Sequence, residues 1–453
     1  MWIYPEEKSM YVNVIGAGLA GCEAAWQIAQ RGIKVRLFEM KPSKKTPAHK
    51  SDYFCELICS NSLKAARVES AAGLLKEEMR RIGSLLMEAA DKCSVPAGGA
   101  LAVDRDLFSG YVTEKILSNE LIEFIGDEVK EIPSDAVTVI ASGPLTSDGL
   151  ADRIAEICDS PLHFFDAAAP IVTAESIDMS CAFTASRYDK GGDDAYINCP
   201  MNKDEYEAFH QALITAERAP RHDVDVMNPK VYEGCMPVEI LAQRGLDTLR
   251  FGPMKPVGLR DPRTGHRPWA VLQLRTENTE KTMYNLVGFQ TNLKFPEQKR
   301  VFGMIPALRD AEYVRYGVMH RNTFLNSPKL LSADYSMKNR PELFFAGQMT
   351  GVEGYMESAS SGMIAGINAA ARVLRREGFI LPVQTMIGAL ADYAANSQTS
   401  DFQPMGANFG ILPPLDEHIR DKKLRAAAYA QRSLDILDNI LKEDSFYHTV
   451  NKE

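Results

Sequence analysis

No stretch of this 453-residue chain comes near the ~18 uninterrupted apolar residues that a membrane-spanning helix needs, and its opening, MWIYPEEKSM, has neither the basic lead nor the apolar run of a secretory signal. A cytoplasmic protein without a membrane partner is expected. Cysteine is thin and scattered. Cys22, Cys55, Cys59, Cys93, Cys158, Cys181, Cys199 and Cys235 lack both the density of a disulfide scaffold and the paired C-x2-C spacing of a zinc site. No metal is expected, and most of these thiols should be buried. Positive charge is short as well. The net charge of −9 speaks against a nucleic-acid partner, because phosphate binding draws on a basic surface.

That charge is unevenly spread. Residues 251–330 hold 13 Lys and Arg against 6 Asp and Glu, which leaves −16 on the rest of the chain. The segment reads either as an anion-binding face or as an ordinary solvated surface. With 45% hydrophobic and 25% charged residues, the chain is globular and long enough for two or three cores. It shows no internal repeat and no low-complexity linker.

Residues 11–40 read as strand, glycine turn, helix and strand: VNVIG is apolar and β-rich, CEAAWQIAQRG is a helix ended by Gly32, and KVRLFEM is a second strand. A single long helix is predicted at about 67–92 and another from about Arg105. AVTVIASGP (136–144) reads as a buried strand reaching the ligand edge of a parallel sheet. From about 193 to 330 the pattern changes to broken helices and alternating segments, WAVLQL and YNLVGFQ, that suggest antiparallel strands. ELFFAGQMTGVEGYMESASSGMIAGINAAARVL (342–374) then repeats the strand, turn and helix logic, and the last 75 or so residues are helical around the loop FQPMGANFGILPPL (402–415). The predicted fold is therefore α/β: a discontinuous Rossmann-type FAD-binding domain formed by 11–192 and 331–453, with a smaller α+β domain inserted at 193–330.

Gly16-Ala17-Gly18-Leu19-Ala20-Gly21 follows an apolar strand and opens a helix. Gly16 permits the tight turn, Gly18 lets the backbone approach a pyrophosphate, and Gly21 lets the helix pack on the sheet, while the helix N-terminus supplies N–H donors. Glu39 lies 18 residues beyond Gly21, where a carboxylate meets ribose hydroxyls and disfavours a 2′-phosphate. Between NAD and FAD the distal segment decides. Gly347, Gln348, Gly351, Gly354, Tyr355 and Ser358 form the kind of glycine-rich turn that a flavin domain places against the ribityl chain and ring, with a helix N-terminus near Ser358-Ala359 available to stabilise negative charge on the reduced flavin. A plain helix-packing turn is the alternative reading.

Two cysteines precede predicted helices. Cys59, in ELICSNSLKAARVES, is followed by Ser60, Asn61 and Ser62 as candidate N-caps, and Cys235, in YEGCMPVEILAQRG, by Pro237. At helix N-termini both thiols would be drawn toward the nucleophilic thiolate; inert burial is the competing reading. Cys22, Cys93, Cys158, Cys181 and Cys199 read as core, and Cys55 would fall one turn before Cys59 if that stretch were helical.

These motifs resemble the bacterial folate- and FAD-dependent tRNA (uracil-5-)-methyltransferases, the TrmFO family. The likeness runs over almost the whole chain, through VIGAGLAGCEAA, ELICSNSLK, VPAGGALAVDRD, MNKDEYEAFHQAL, YEGCMPVE, LRFGPMKPVGLRDPRTG, YNLVGFQTNLK, EQKRVFGMIPAL, YVRYGVMHRNTF and FFAGQMTGVEGYMESASSG. The resemblance implies methylation of C5 of a T-loop uridine in tRNA, with 5,10-methylenetetrahydrofolate as carbon donor, FAD as the bound cofactor and NAD(P)H as reductant. It implies Cys235 as the thiolate that adds to C6 of uracil and makes C5 nucleophilic, and Cys59 as the second functional cysteine, serving either to remove the C5 proton or to form a protective bond. Tyr355 matches a position near flavin and folate. Lys299 and Arg300 are candidates for the folate tail or an RNA phosphate, and Lys255, Arg260, Arg263, Arg267 and Arg275 for an RNA-contacting face. Cys55 and the ten residues before Tyr11 depart from the family pattern. A ribosomal RNA uridine, a small-molecule flavin oxidoreductase and a non-catalytic RNA-binding flavoprotein remain as alternatives.

Overall fold

A computed structural model describes residues 11–46, 48–158, 162–167, 169–189, 196–219, 236–278, 280–317, 319–396, 402–444 and 446. Its central sheet has six strands in the order Ser336–Met337, Arg340–Phe345, Val137–Ile140, Tyr11–Ile15, Lys34–Phe38, Ile122–Ile125. All neighbours pair in parallel except the first two. Tyr11–Ile15, near its middle, is buried on both faces, as a strand covered by helices on both sides must be. Arg340–Phe345, two places along the sheet from it and on the far side of Val137–Ile140, comes from more than 300 residues further along the chain.

The helix after that distal strand, Tyr355–Val373, packs against the first helix, Leu19–Gln30. The approach is so close that a Cβ on Gly362 would stand 2.1 Å from the Ala20 carbonyl oxygen and one on Gly366 2.6 Å from that of Ala24. Glycine at those two positions lets the backbones touch, and the contact sews the end of the chain onto its beginning.

A second, fully antiparallel sheet runs Phe183–Thr184, Ile197–Met201, Ala270–Thr276, Met283–Leu286, Ile171–Thr173, Tyr313–Arg315. WAVLQL and YNLVGFQ supply adjacent strands of it. The sheet starts at Ile171, earlier than residue 193. Cys199, Leu272, Leu274 and Leu286 point into its own core with Phe289 and Phe302. A three-stranded sheet of Ser62–Ala65, Ala100–Val103 and Ser94–Val95 lies between Cys59 and the helix Arg105–Leu117 in sequence.

Two helical expectations change. The predicted helix over 67–92 is two helices, Ala71–Ile82 and Leu85–Lys92. Gly83 turns left-handed at φ 95° and Ser84 caps the second helix by accepting from Met87 N–H, so the chain bends there. Helix Tyr355–Val373 starts three residues before Ser358, which falls in its first turn. The C-terminal helices Met386–Asn396 and Lys422–Glu443 are tied down by Glu78. Its buried carboxylate accepts from Met386 N–H (2.7 Å), Ile387 N–H (2.8 Å) and the Ser433 hydroxyl. Burial pushes Glu78 up to about 7 in spite of those donors.

Candidate active site between the two sheets

The glycine turn is built as its spacing requires. Gly16 sits at φ 100° and its N–H donates to Phe38 O at 2.7 Å. A Cβ on Gly21 would fall 1.7 Å from Gly16 O, so the helix lies directly on the turn. Gly18 differs: a Cβ there meets nothing within 4 Å. No described residue fills that space. An open hollow at the N-terminus of Leu19–Gln30, in front of the middle glycine, fits a dinucleotide pyrophosphate. Ala20 packs beneath it against Gly347 and Gly362. Glu39 is locked beside the turn, accepting from Ala17 N–H (2.9 Å) and Lys41 N–H (3.0 Å).

The cavity over this turn is lined by Gly16, Gly18, Glu39, His49, Ser142 and Thr146 among others. Burial, and then the neighbouring Lys41 charge, push His49 down to about 4, so its ring is neutral at neutral pH.

In the distal turn Gly347 N–H donates to Ser361 Oγ (2.7 Å) and Gln348 Nε2 to Glu353 (2.6 Å). A Cβ on Gly351 would strike the Phe402 ring, and Gly354, at φ 127°, immediately precedes the helix that begins at Tyr355. Ser358 N–H bonds Gly354 O at 2.9 Å.

Tyr355 turns this segment toward Cys59. Its hydroxyl oxygen accepts N–H from Cys59 (2.8 Å) and Ser60 (3.3 Å) and stands 3.0 Å from Cys59 Sγ. With both acceptor directions taken by backbone donors, the phenol proton is left for the sulfur. Burial, with the Cys59 sulfur beside it, holds the Tyr355 phenol well above its usual pKa, so that proton is retained.

The helix-start reading of Cys59 is not what the structure shows. The residues after it form the strand Ser62–Ala65, and the next helix begins at Ala71 with Ser70 as its cap. Ser60 and Asn61 cannot cap a helix because distant partners engage them. Arg275 donates to Ser60 Oγ (2.7 Å) and Asn61 Oδ1 (2.9 Å), while Asn61 Nδ2 donates to Val103 O and Thr276 O. Arg105, the first residue of its helix, donates to the carbonyls of Leu57 and Ile58 and pairs with Glu277, which is 2% exposed. Two arginines therefore clamp the Cys59 segment, one from each side of the seam between the sheets.

Cys235 lies outside the described residues. Just after it, Pro237 precedes the short helix Val238–Gln243, whose Val238 N–H bonds Gln290 O at 2.7 Å and whose buried Glu239 accepts from Thr291 and Asn292. Cys55 is not helical: at φ 53° its N–H bonds Ala17 O under the glycine turn, and its side chain adjoins Cys22. Cys22, Cys93, Cys158 and Cys199 are buried, whereas Cys181 is half-exposed rather than core. Of the basic set, Lys255, Arg260 and Arg267 are exposed, Arg263 is held by Asp261, and Arg275 is buried under Cys59 and faces no external partner. Arg300 pairs with Glu297.

Sequence reasoning missed Arg105, Glu277 and Arg315. A signal was present: Arg275 lies in, and Glu277 just after, the mostly apolar strand Ala270–Thr276, and charges buried with such a strand need a partner.

The family model for glucose inhibited division protein A matches residues 11–377. The methylenetetrahydrofolate--tRNA-(uracil-5-)-methyltransferase TrmFO of Acetivibrio thermocellus is 60% identical over 96% of this chain and 99% of its own length, and that of Heliobacterium modesticaldum 56% identical over the same shares. Among solved structures, GidA of Aquifex aeolicus superposes with a TM-score of 0.69 at 16% identity, over 95% of this chain and 73% of that one. The chain belongs to the glucose inhibited division protein A family and, within it, to the group of its TrmFO relatives.

Proposed function

We propose that the protein methylates C5 of the T-loop uridine of tRNA, taking the carbon from 5,10-methylenetetrahydrofolate with FAD bound and NAD(P)H as reductant. The observation that carries this reading is the Cys59–Tyr355 pair at the seam of the two sheets, in a chain 60% identical to a relative named for that reaction. The hollow at Gly18 fits FAD, which Gly16, Ala17, Gly18, Leu19, Ala20 and Gly21 would hold by its diphosphate and Glu39 by its ribose. Gly347, Gln348, Gly351, Gly354 and Ser358 would lie at the flavin end. Bound there, FAD supplies the redox chemistry that turning a methylene into a methyl group needs.

The rest falls to the chain. Cys235 adds to C6 of the uracil and makes C5 nucleophilic. The sulfur of Cys59 receives the Tyr355 hydrogen bond, with Arg105 nearby to compensate negative charge, which suits it to take the C5 proton. Residues 11–192 with 331–453 would serve as the dinucleotide domain and 193–330 as the insert, with the second sheet drawing two of its strands, Ile171–Thr173 and Phe183–Thr184, from before residue 193. A tRNA substrate places the protein in the cytoplasm; no described helix is long and apolar enough to cross a membrane.

Unmodified tRNA incubated with enzyme, 5,10-methylenetetrahydrofolate and NADPH should gain one methyl group at the T-loop uridine by mass analysis, and S-adenosylmethionine should not replace the folate. Label in ribosomal RNA with tRNA untouched would sink the tRNA assignment. NADPH turnover that survives Cys235→Ala without RNA methylation would point to a small-molecule oxidoreductase.

A further inference from the structure

The antiparallel sheet carries polar side chains on the face turned away from its own core. Val172, Leu274 and Leu286 enter that core, so Ile171, Thr173, Arg275 and Asn285 point the other way. Arg275 shows where that face looks, because its guanidinium reaches Ser60 and Asn61 beside Cys59. Across the four strands runs a row of paired residues, Arg275, Asn285, Ile171 and Arg315.

Arg315 joins the row through a bulge. Tyr313 pairs with Val172 and Arg315 with the next residue back, Ile171, so Val314 is the extra residue. Regular alternation would put Arg315 on the side of Tyr313, which packs on the sheet's core. The bulge turns it onto the polar face instead.

Three groups on this face lack partners. Among the described residues the amide nitrogen of Asn285, 2% exposed, makes no hydrogen bond, and neither does the Thr173 hydroxyl. Arg315 makes no hydrogen bond or ion pair to any described residue, although it is half-buried and close enough to Arg105 to be repelled and to Cys59, Tyr355 and Glu277 to be attracted. A guanidinium with no ion pair to a described residue, on the same face as an unsatisfied buried amide across the intervening Ile171 strand, is unfavourable in the empty protein and favourable once an anion arrives.

We propose that Arg315, Asn285 and Thr173 form a binding subsite for a small carboxylate-bearing ligand lying across the polar face of the second sheet. On the functional reading above, on which this rests, the ligand is the folate, and a carboxylate of its glutamate tail meets Arg315. A permanent cation matches a permanent anion better than it matches the transient charge of a reduced flavin ring. Its place on an edge strand, next to Val314 at 52% exposure, opens it to a ligand arriving from solvent. Arg300, already paired with Glu297, is the weaker candidate for that carboxylate.

The test is equilibrium binding of tetrahydrofolate to the FAD-loaded wild type and to Arg315→Gln and Arg315→Lys, with flavin content and flavin reduction potential measured on the same samples. Arg315→Gln should bind tetrahydrofolate about ten- to a hundredfold more weakly, the worth of one charge-assisted hydrogen bond. Arg315→Lys should recover part of that loss. Flavin content and potential should stay at the wild-type values, and a tetrahydropterin lacking the aminobenzoylglutamate should bind wild type and Arg315→Gln alike. Equal tetrahydrofolate affinity in wild type and Arg315→Gln overturns the subsite. Lost flavin or a shifted potential with unchanged folate affinity assigns Arg315 to the flavin and overturns it too. A wild type that does not bind tetrahydrofolate at all refutes the functional reading itself, and the folate assignment with it.

Discussion

Gly18→Ala and Gly21→Ala each add one methyl group to the same turn, and the structure gives them opposite consequences. At position 21 the new Cβ would stand 1.7 Å from Gly16 O and 2.9 Å from its carbonyl carbon, both backbone atoms that cannot swing aside. The helix must back away from the sheet by more than 1 Å, and overpacking of that kind costs roughly 1–3 kcal/mol or more. At about 2–4 °C per kcal/mol, the unliganded protein should melt roughly 2–12 °C lower. At position 18 the backbone is extended (φ −76°, ψ −173°), which alanine adopts readily, and no atom lies within 4 Å. The unliganded Gly18→Ala protein should melt within about 0.5 kcal/mol of wild type. Its methyl group instead enters the hollow left for the diphosphate, and the same ~1–3 kcal/mol falls on binding, a loss of about 5- to 150-fold in FAD affinity. Thermal unfolding of the flavin-free proteins and titration with FAD separate the two effects. The reasoning fails if Gly18→Ala binds FAD like wild type, or if flavin-free Gly18→Ala melts as low as Gly21→Ala.

Two further outcomes follow from buried groups. Tyr355→Phe removes the acceptor of the Cys59 and Ser60 N–H groups and should lower stability by about 1–3 kcal/mol; it should also change the pH profile of Cys59 alkylation, measured in a background lacking Cys55, and an unchanged profile would show that the phenol does not act on the sulfur. Glu78, held near 7 against an ordinary value of 4.5, binds its proton more tightly folded than unfolded, so its contribution to stability is complete below about 4.5 and falls as pH rises to about 7. Glu78→Gln should flatten that part of the stability profile while lowering stability overall, since its NH2 group would face a backbone N–H that the carboxylate now satisfies; a slope that persists in the variant would assign it to another group.

The glycine turn and Glu39 were legible because their logic is local: strand, turn, helix and acid fall within thirty residues, and Gly21 answers directly to Gly16 O within that span. The surroundings of Cys59 were not. Serine and asparagine after a cysteine ordinarily announce a helix cap, but here Arg275, more than 200 residues away, claims both side chains, and Tyr355, 296 residues away, claims the backbone and the sulfur. The same holds for Gly83, which a helical periodicity absorbs easily and which the structure uses to stop one helix and start another. Arg315 was hidden for a different reason. Which face of the sheet it serves depends on one extra residue in an edge strand, and alternation read from the sequence assigns it to the wrong side.

The contact of Gly362 and Gly366 with the first helix also sets the order in which the molecule can be made. The strand Arg340–Phe345 and the helix behind it leave the ribosome last among the elements built on the parallel sheet, although that helix packs on the first one. At ~5–20 residues per second, the glycine turn waits roughly twenty seconds to a minute for them. Throughout that interval Ala20 and Ala24 present a groove shaped for a helix not yet synthesised. The antiparallel sheet, whose strands all emerge by residue 315, can condense in the meantime, so the second sheet can be complete before the first one is.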